Sequence, residues 1–420
     1  MFFEPKRGDF RVLSLAIGFA TLATVLCLHP FVTYPGSLLL LPRRPLKQRS
    51  ANAAGLVPAS VAICMSAYNE DAVIAAKMDS LLTMAHEYPG EATVHVYADA
   101  PSDRTVEILE AYSDRADIVI GTERRGKSWG MAQLVLRSQS DLLLFSDANV
   151  ASEPDAIIGL AATFDDPEVG LASAQLVYSN PAESATSKSG AFYWAFEERI
   201  KRIESATVGL VGVDGAMFMI RRALYRAPPP HLIDDLFVSL TTLISGARVI
   251  SVQSVTVFER SSSRAEEEFN RKKRIACQAW NVHRALWPEL KRLPPLKLYA
   301  YFSHRVLKWL TPFLVFLVVL SYAAVIAELT SWPVAVGIVV GGAAALALGS
   351  AIDFQPMLIV STMLYSLAGV GLGLLQSIFQ NKTYTVWQPA DSVRVSPASA
   401  VGPQNVATNR RDDPTSEKPL

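Results

Sequence analysis

The chain has 420 residues, 50% hydrophobic and 19% charged, with a mean hydropathy of +0.24. It is too apolar for an ordinary soluble enzyme and too charged for a bare bundle of membrane helices, so a soluble domain joined to membrane spans is expected. Lys plus Arg (39) balance Asp plus Glu (39), which leaves no global basic field and argues against nucleic acid as a partner.

Residues 12 to about 32 form a nearly uncharged run of the length that crosses a bilayer, ~20 residues. The run is long for a signal-peptide core, and His29-Pro30 is not a small-residue cleavage site, so an uncleaved anchor is expected. Arg43, Arg44, Lys47 and Arg49 follow it and point to a cytoplasmic domain, against a smaller basic group (Lys6, Arg7, Arg11) on the other flank. The cysteines Cys27, Cys64 and Cys277 are far apart and suggest neither a disulfide framework nor a zinc site.

Residues 51–285 read as an α/β domain with a mostly parallel sheet. Strands are expected at 61–65, 93–98, 118–120 and 142–145, and helices at 71–85, 105–112 and 128–137. In such a sheet ligands bind beyond the carboxyl ends of the strands. The first strand is followed by Ser66, Tyr68, Asn69 and Glu70, and the second by Asp99 and Asp103. The third is followed by Arg124, Arg125, Gly126 and Lys127, and the fourth by Asp147 and Asn149. Each cluster alone could cap a helix or make a turn. Four in succession supply an aromatic and carboxylates for a nucleoside, a lysine for phosphate and oxygen ligands for a hard cation. Asp147 and Asn149, a carboxylate and an amide two residues apart, can face one such ion.

The basic residues Lys291, Arg292, Lys297, Arg305 and Lys308 precede three further apolar runs, at about 309–329, 332–352 and 356–379. The expected organisation is an anchor and basic flank (1–50), the α/β domain (51–285), an interfacial segment with about three spans (286–380) and a tail (381–420) that is disordered after Val393. Ser262 is expected in an exposed loop.

These motifs resemble membrane-bound family-2 glycosyltransferases of GT-A fold, the group that includes hyaluronan and cellulose synthases. Ser66-Ala67-Tyr68-Asn69-Glu70, the segment from Tyr97 to Thr105, Arg125-Gly126-Lys127 and Ser146-Asp147-Ala148-Asn149 fall in the family's order, with Asn149 where the family carries a second Asp. Gly212 to Arg222 resembles the family's glycine-rich acceptor segment, and Ile233-Asp234-Asp235-Leu236-Phe237 its Thr-Glu-Asp segment. Arg271, Arg274, Gln278 and Trp280 match the processive synthases' Gln-x-x-Arg-Trp segment only in part.

The resemblance implies an inverting transferase that uses a nucleotide-diphosphate sugar, with a UDP-sugar expected, and Mg2+ or Mn2+. It implies Tyr68, Glu70 and Asp99 at the nucleoside, Lys127 and Arg274 at the diphosphate, Asp147 and Asn149 at the metal, and Asp103, Gly215, Arg271 and Trp280 as further substrate-binding residues. Asp235 is the implied base, with Asp234 the alternative. The implied acceptor is a lipid-linked saccharide or a growing polysaccharide at a plasma membrane, with membrane lipid as a further partner. A polyprenyl-phosphate glycosyltransferase and a non-catalytic scaffold that keeps the nucleotide-sugar fold are the alternatives.

Overall fold

The computed structural model describes residues 7–47, 58–386 and 391–393. The tail beyond Val393, expected to be disordered, lies outside the described residues. Among the described residues eight strands form one sheet: β1 (Val61–Ala67), β2 (Ala92–Ala98), β3 (Asp117–Ile120), β4 (Leu142–Ser146), β5 (Ala151–Ser152), β6 (Val169–Tyr178), β7 (Met217–Arg221) and β8 (Arg248–Glu259). Their order is β3-β2-β1-β4-β7-β6-β8-β5. The first four pair in parallel, as the alternation of strands and helices predicts. Beyond them β7 runs antiparallel between β4 and β6, and β5 antiparallel to β8.

Helices cover both faces of the sheet, so its strands read as continuous apolar runs. Alternate residues go to opposite faces. Ile63, Met65 and Leu144 pack with Ile74, Met78 and Leu81, while Ala62, Cys64, Leu143 and Phe145 pack with Met131, Leu134, Phe218 and Leu240. The first helix of the domain is Ile74–Glu87 and starts three residues later than expected. The Asp103 carboxylate accepts the Asp71 amide at 3.1 Å, and Val73 N bonds to Glu70 O at 3.0 Å, which holds that stretch as a turn.

Among the described residues, four helices are long and apolar enough to cross a membrane. The N-terminal one, Arg7–Leu28, packs against Leu307–Leu329, and Trp332–Ala351 and Gln355–Gln380 complete the group. The helix Ala265–Leu290 runs unbroken through residue 285 and lies against Gln355–Gln380. A Cβ at Gly369 would come within 2.8 Å of Phe269 O, and one at Gly373 within 2.2 Å of Lys273 O. Only glycine admits that approach of two backbones. The Phe269 and Tyr365 rings stack beside it at 4.6 Å.

Where Pro295–Tyr301 meets Leu307–Leu329, residues Phe302–Val306 make a π-turn. The wider turn sets His304, fully buried, between Glu204 (2.7 Å) and Glu197 (2.9 Å). Tyr34 donates to Glu204 and Lys308 to Glu197, so one buried polar chain ties the N-terminal segment, the α/β domain and the start of the Leu307–Leu329 helix together.

Candidate active site

Beyond the carboxyl ends of β1, β2 and β4 lies a cavity of about 1480 Å³. Of the residues expected at the site, Tyr68, Glu70, Asp99, Lys127, Asp147, Asn149, Gly215, Asp234, Asp235, Arg271 and Arg274 line it. Two expected residues stand elsewhere. Asp103 caps the helix Thr105–Glu110 through the Thr105 amide (3.0 Å) and holds Asp71, so it serves the loop behind the wall. Trp280 packs against His283 (4.9 Å) and Trp309 (6.3 Å), and it is Trp309 that reaches the cavity. Ser262, expected on an exposed loop, is 2% exposed.

The centre of the site is an ion cluster. Lys127 Nζ lies 2.6 Å from Asp147 Oδ1 and 3.0 Å from Asp234 Oδ2. Burial works against the Lys127 charge, but Asp147, Asp234 and Asp235 outweigh it and raise its pKa. Burial pushes the Asp235 carboxyl up to about 7, with the Asp234 charge adding to the shift and Lys127 opposing it. Burial also raises Asp147 against the pull of Lys127. Gly215 faces this cluster: a Cβ there would sit 3.2 Å from Lys127 Nζ and 3.3 Å from Asp235 Oδ2.

The loop before Lys127 is held from β2. Asp99 accepts the amides of Arg125 (2.7 Å) and Gly126 (2.8 Å), so both its oxygens are spent on shaping the phosphate-side loop. Arg124 lies over the Tyr68 ring at 3.4 Å. Gly126 has φ +89°, and a Cβ there would come within 2.2 Å of Thr385 O. That close neighbour belongs to the segment following the last membrane helix, which returns to the domain. Lys382 O accepts from Asn281 Nδ2 (2.9 Å) and Tyr384 O from Gln278 Nε2 (2.8 Å).

Three groups escaped the sequence reading. Glu259 ends β8, accepts from Asn149 Nδ2 at 3.2 Å, and is raised to about 7 by burial. Its place at a strand end beside the cavity was the available signal. Asp214 and Glu198 flank the buried Lys201 at 2.7 and 2.5 Å.

Asp147 and Asn149 offer a carboxylate and an amide oxygen, both hard donors, on one wall of the cavity. Among the described residues no three His, Cys, Asp or Glu side chains converge on a single metal position. Mg2+ takes one or two carboxylates and completes its shell with water and substrate phosphate, so this donor pair fits such an ion.

Residues 62–227 match Glycosyl transferase family 2. The chain is 26% identical over 213 residues to an N-acetylglucosaminyltransferase of Rhizobium leguminosarum bv. viciae, covering 46% of this chain and 50% of that protein. It is 26% identical over 216 residues to an N-acetylglucosaminyltransferase of Rhizobium meliloti (strain 1021), covering 47% and 50%. The chain thus spans about half the length of these curated relatives. In structure it is similar to a mannosyltransferase from Pyrobaculum calidifontis solved with GDP-Man and Mn2+, with a TM-score of 0.67 and 19% identity over 88% of this chain and all (100%) of that one.

Fold and comparisons together define a glycosyltransferase domain of GT-A architecture. Residues 62–227 carry the family-2 glycosyltransferase match, in a chain whose described residues include four helices long and apolar enough to cross a membrane. The family match ends at residue 227, just before Asp234 and Asp235.

Proposed function

We propose that the protein is a membrane-anchored, inverting glycosyltransferase that moves a sugar from a UDP-sugar to a hydroxyl of a lipid-linked saccharide or growing polysaccharide. The observation that carries this reading is Asp235: a buried carboxyl brought to about 7, on the wall that also holds Lys127 and Asp147. A general base works best when its pKa lies near the working pH. The rhizobial relatives favour N-acetylglucosamine as the transferred sugar.

In this mechanism Tyr68 and Arg124 form the nucleoside side, and Lys127 and Arg274 turn to the diphosphate. When bound at Asp147 and Asn149, Mg2+ or Mn2+ supplies neutralising charge to the leaving diphosphate. The acceptor oxygen attacks the anomeric carbon from the face opposite the nucleotide, and Asp235 takes the hydroxyl proton. The bond from the anomeric carbon to the diphosphate oxygen breaks, and the nucleoside diphosphate leaves with that electron pair. Gly215 leaves room for the acceptor between Lys127 and Asp235. The basic flanks at 43–49 and 291–308 support a cytoplasmic catalytic domain.

The test is nucleotide release by the purified full chain in detergent, with membrane lipid extract, Mg2+ or Mn2+ and a panel of nucleotide sugars. UDP release from UDP-N-acetylglucosamine that depends on the extract is expected. No release from any donor would overturn the reading.

A further inference from the structure

The turn that carries Asp147 and Asn149 is held at both ends. Lys77, buried on the helix Ile74–Glu87, donates to Ser146 Oγ and to Val150 O, each at 2.7 Å. Asp147 N donates to Ala216 O at 3.1 Å. The two residues of β5 follow at once and pair antiparallel with the end of β8, Ala151 with Phe258 and Ser152 with Val257. Carried one residue further, that register sets Glu259, the last residue of β8, opposite Val150 and beside Asn149. Asn149 Nδ2 donates to Glu259 Oε1 at 3.2 Å, and both side chains line the cavity.

The backbone thus fixes where the Asn149 side chain starts, but not which end of its amide faces the cavity. An amide has an oxygen and an NH2 group, and only the oxygen can ligate a hard cation. A carboxylate accepts and does not donate, so Glu259 takes the NH2 end and repels the oxygen end. The oxygen is then left for the wall that holds Asp147. A carboxylate at 149, where the family carries its second Asp, would stand within bonding range of Glu259 and repel it.

We propose that Glu259 is a positioning residue for the divalent cation. It holds the Asn149 amide with its oxygen toward the ion without touching the ion itself, so Asn149 and Glu259 together do what a second Asp does alone. This rests on the reading of the site as a metal-dependent glycosyltransferase and adds to it a residue outside the family match at 62–227. Groups that orient a metal ligand from behind are worth about 10- to 100-fold in metal affinity.

The probe is Mn2+, titrated into the full chain in detergent and followed by the EPR signal of the free ion, with and without UDP. Glu259→Gln, whose own amide can present either end to Asn149, should weaken Mn2+ binding about tenfold or more, and Glu259→Ala should match it. In an Asn149→Asp chain there is no amide to orient, so there the same Glu259→Gln change should not weaken Mn2+ binding. Thermal unfolding in EDTA checks the fold of each variant. Unaltered Mn2+ binding in folded Glu259→Gln would overturn the proposal. Equal weakening in both backgrounds would also overturn it, by making Glu259 a direct ligand or a plain charge. So would absence of Mn2+ uptake by the unaltered chain with and without UDP. Uptake of Mn2+ but not of UDP by the unaltered chain would instead sink the transferase reading alone, because the contrast between the two backgrounds is read on Mn2+.

Discussion

Lys127 Nζ and Asp147 Oδ1 are 2.6 Å apart, so the lysine assigned to the donor phosphates and the carboxylate assigned to the cation neutralise one another. Each group is thus kept charged and in place at the strand ends by the other. Donor and cation binding must then exchange one set of charge pairs for another, within a wall where unpaired charge is costly.

Replacing Lys127 by Met tests this exchange. Asp234 and Asp147 would face each other without their shared cation. Stability should fall by about 3 kcal/mol, the lower end for a broken buried pair, because the Asp147 side chain is 32% exposed. Denaturant unfolding measures the loss, and calorimetry with UDP should show donor binding gone. Wild-type UDP affinity in Lys127→Met would remove the lysine from the phosphate site.

Asp235→Asn keeps the shape and removes the base. Transfer should drop ~10²-fold or more, with UDP binding nearly unchanged. Asp234→Asn should be milder. The reverse ranking would swap the two roles, and wild-type turnover in both would end the proposed mechanism.

The pH profile carries a sign. The proposed base, Asp235, works ionised, and burial pushes its carboxyl up to about 7, so kcat/KM should rise with pH to a plateau above that value. The Asp234 charge contributes to the upward shift, so Asp234→Asn should move this limb to lower pH. A limb that stays in place would mean that another group sets it.

Chelation with EDTA should abolish transfer, and Mg2+ or Mn2+ should restore it. Asp147→Ala should be inactive yet folded, since Lys127 keeps Asp234 as a partner at 3.0 Å. Full transfer in excess chelator would exclude the metal role.

Sidedness can be read with a thiol reagent at Glu123→Cys, whose native side chain is 69% exposed. Ser262 is too buried to serve. Labelling should fail in intact cells and succeed after permeabilisation. Reaction from outside would reverse the orientation.

The nucleotide half of the domain was legible because its pairings are close in sequence and its polar groups sit where strand periodicity ends. β7 was not, since its partner β4 lies over 70 residues earlier and only tertiary packing turns it antiparallel. Asp103 looked equivalent to Asp99 in sequence, but the two side chains do different work. Asp99 reaches across to the 125–126 amides, while Asp103 bonds its own helix start. Trp280 matched part of the synthase segment by spacing alone, but its ring packs against His283 and Trp309. Glu259 ends a strand whose register contains a shift, which masks it in a simple alternating pattern. The join of cavity and apolar helices depends on contacts between segments 100 residues apart, Lys273 with Gly373 and Phe269 with Gly369, which no local pattern records.

That glycine seam works as a ruler. With the backbones of two helices in direct contact and the Tyr34–Glu204–His304–Glu197–Lys308 chain fastening the other side, the α/β domain has little freedom to rise from or sink toward the bilayer. Under the proposed function, Asp235 therefore stands at a set height above the lipid. An acceptor hydroxyl presented too low or too high is out of reach whatever its chemistry, so length, as well as sugar identity, becomes part of what the enzyme selects.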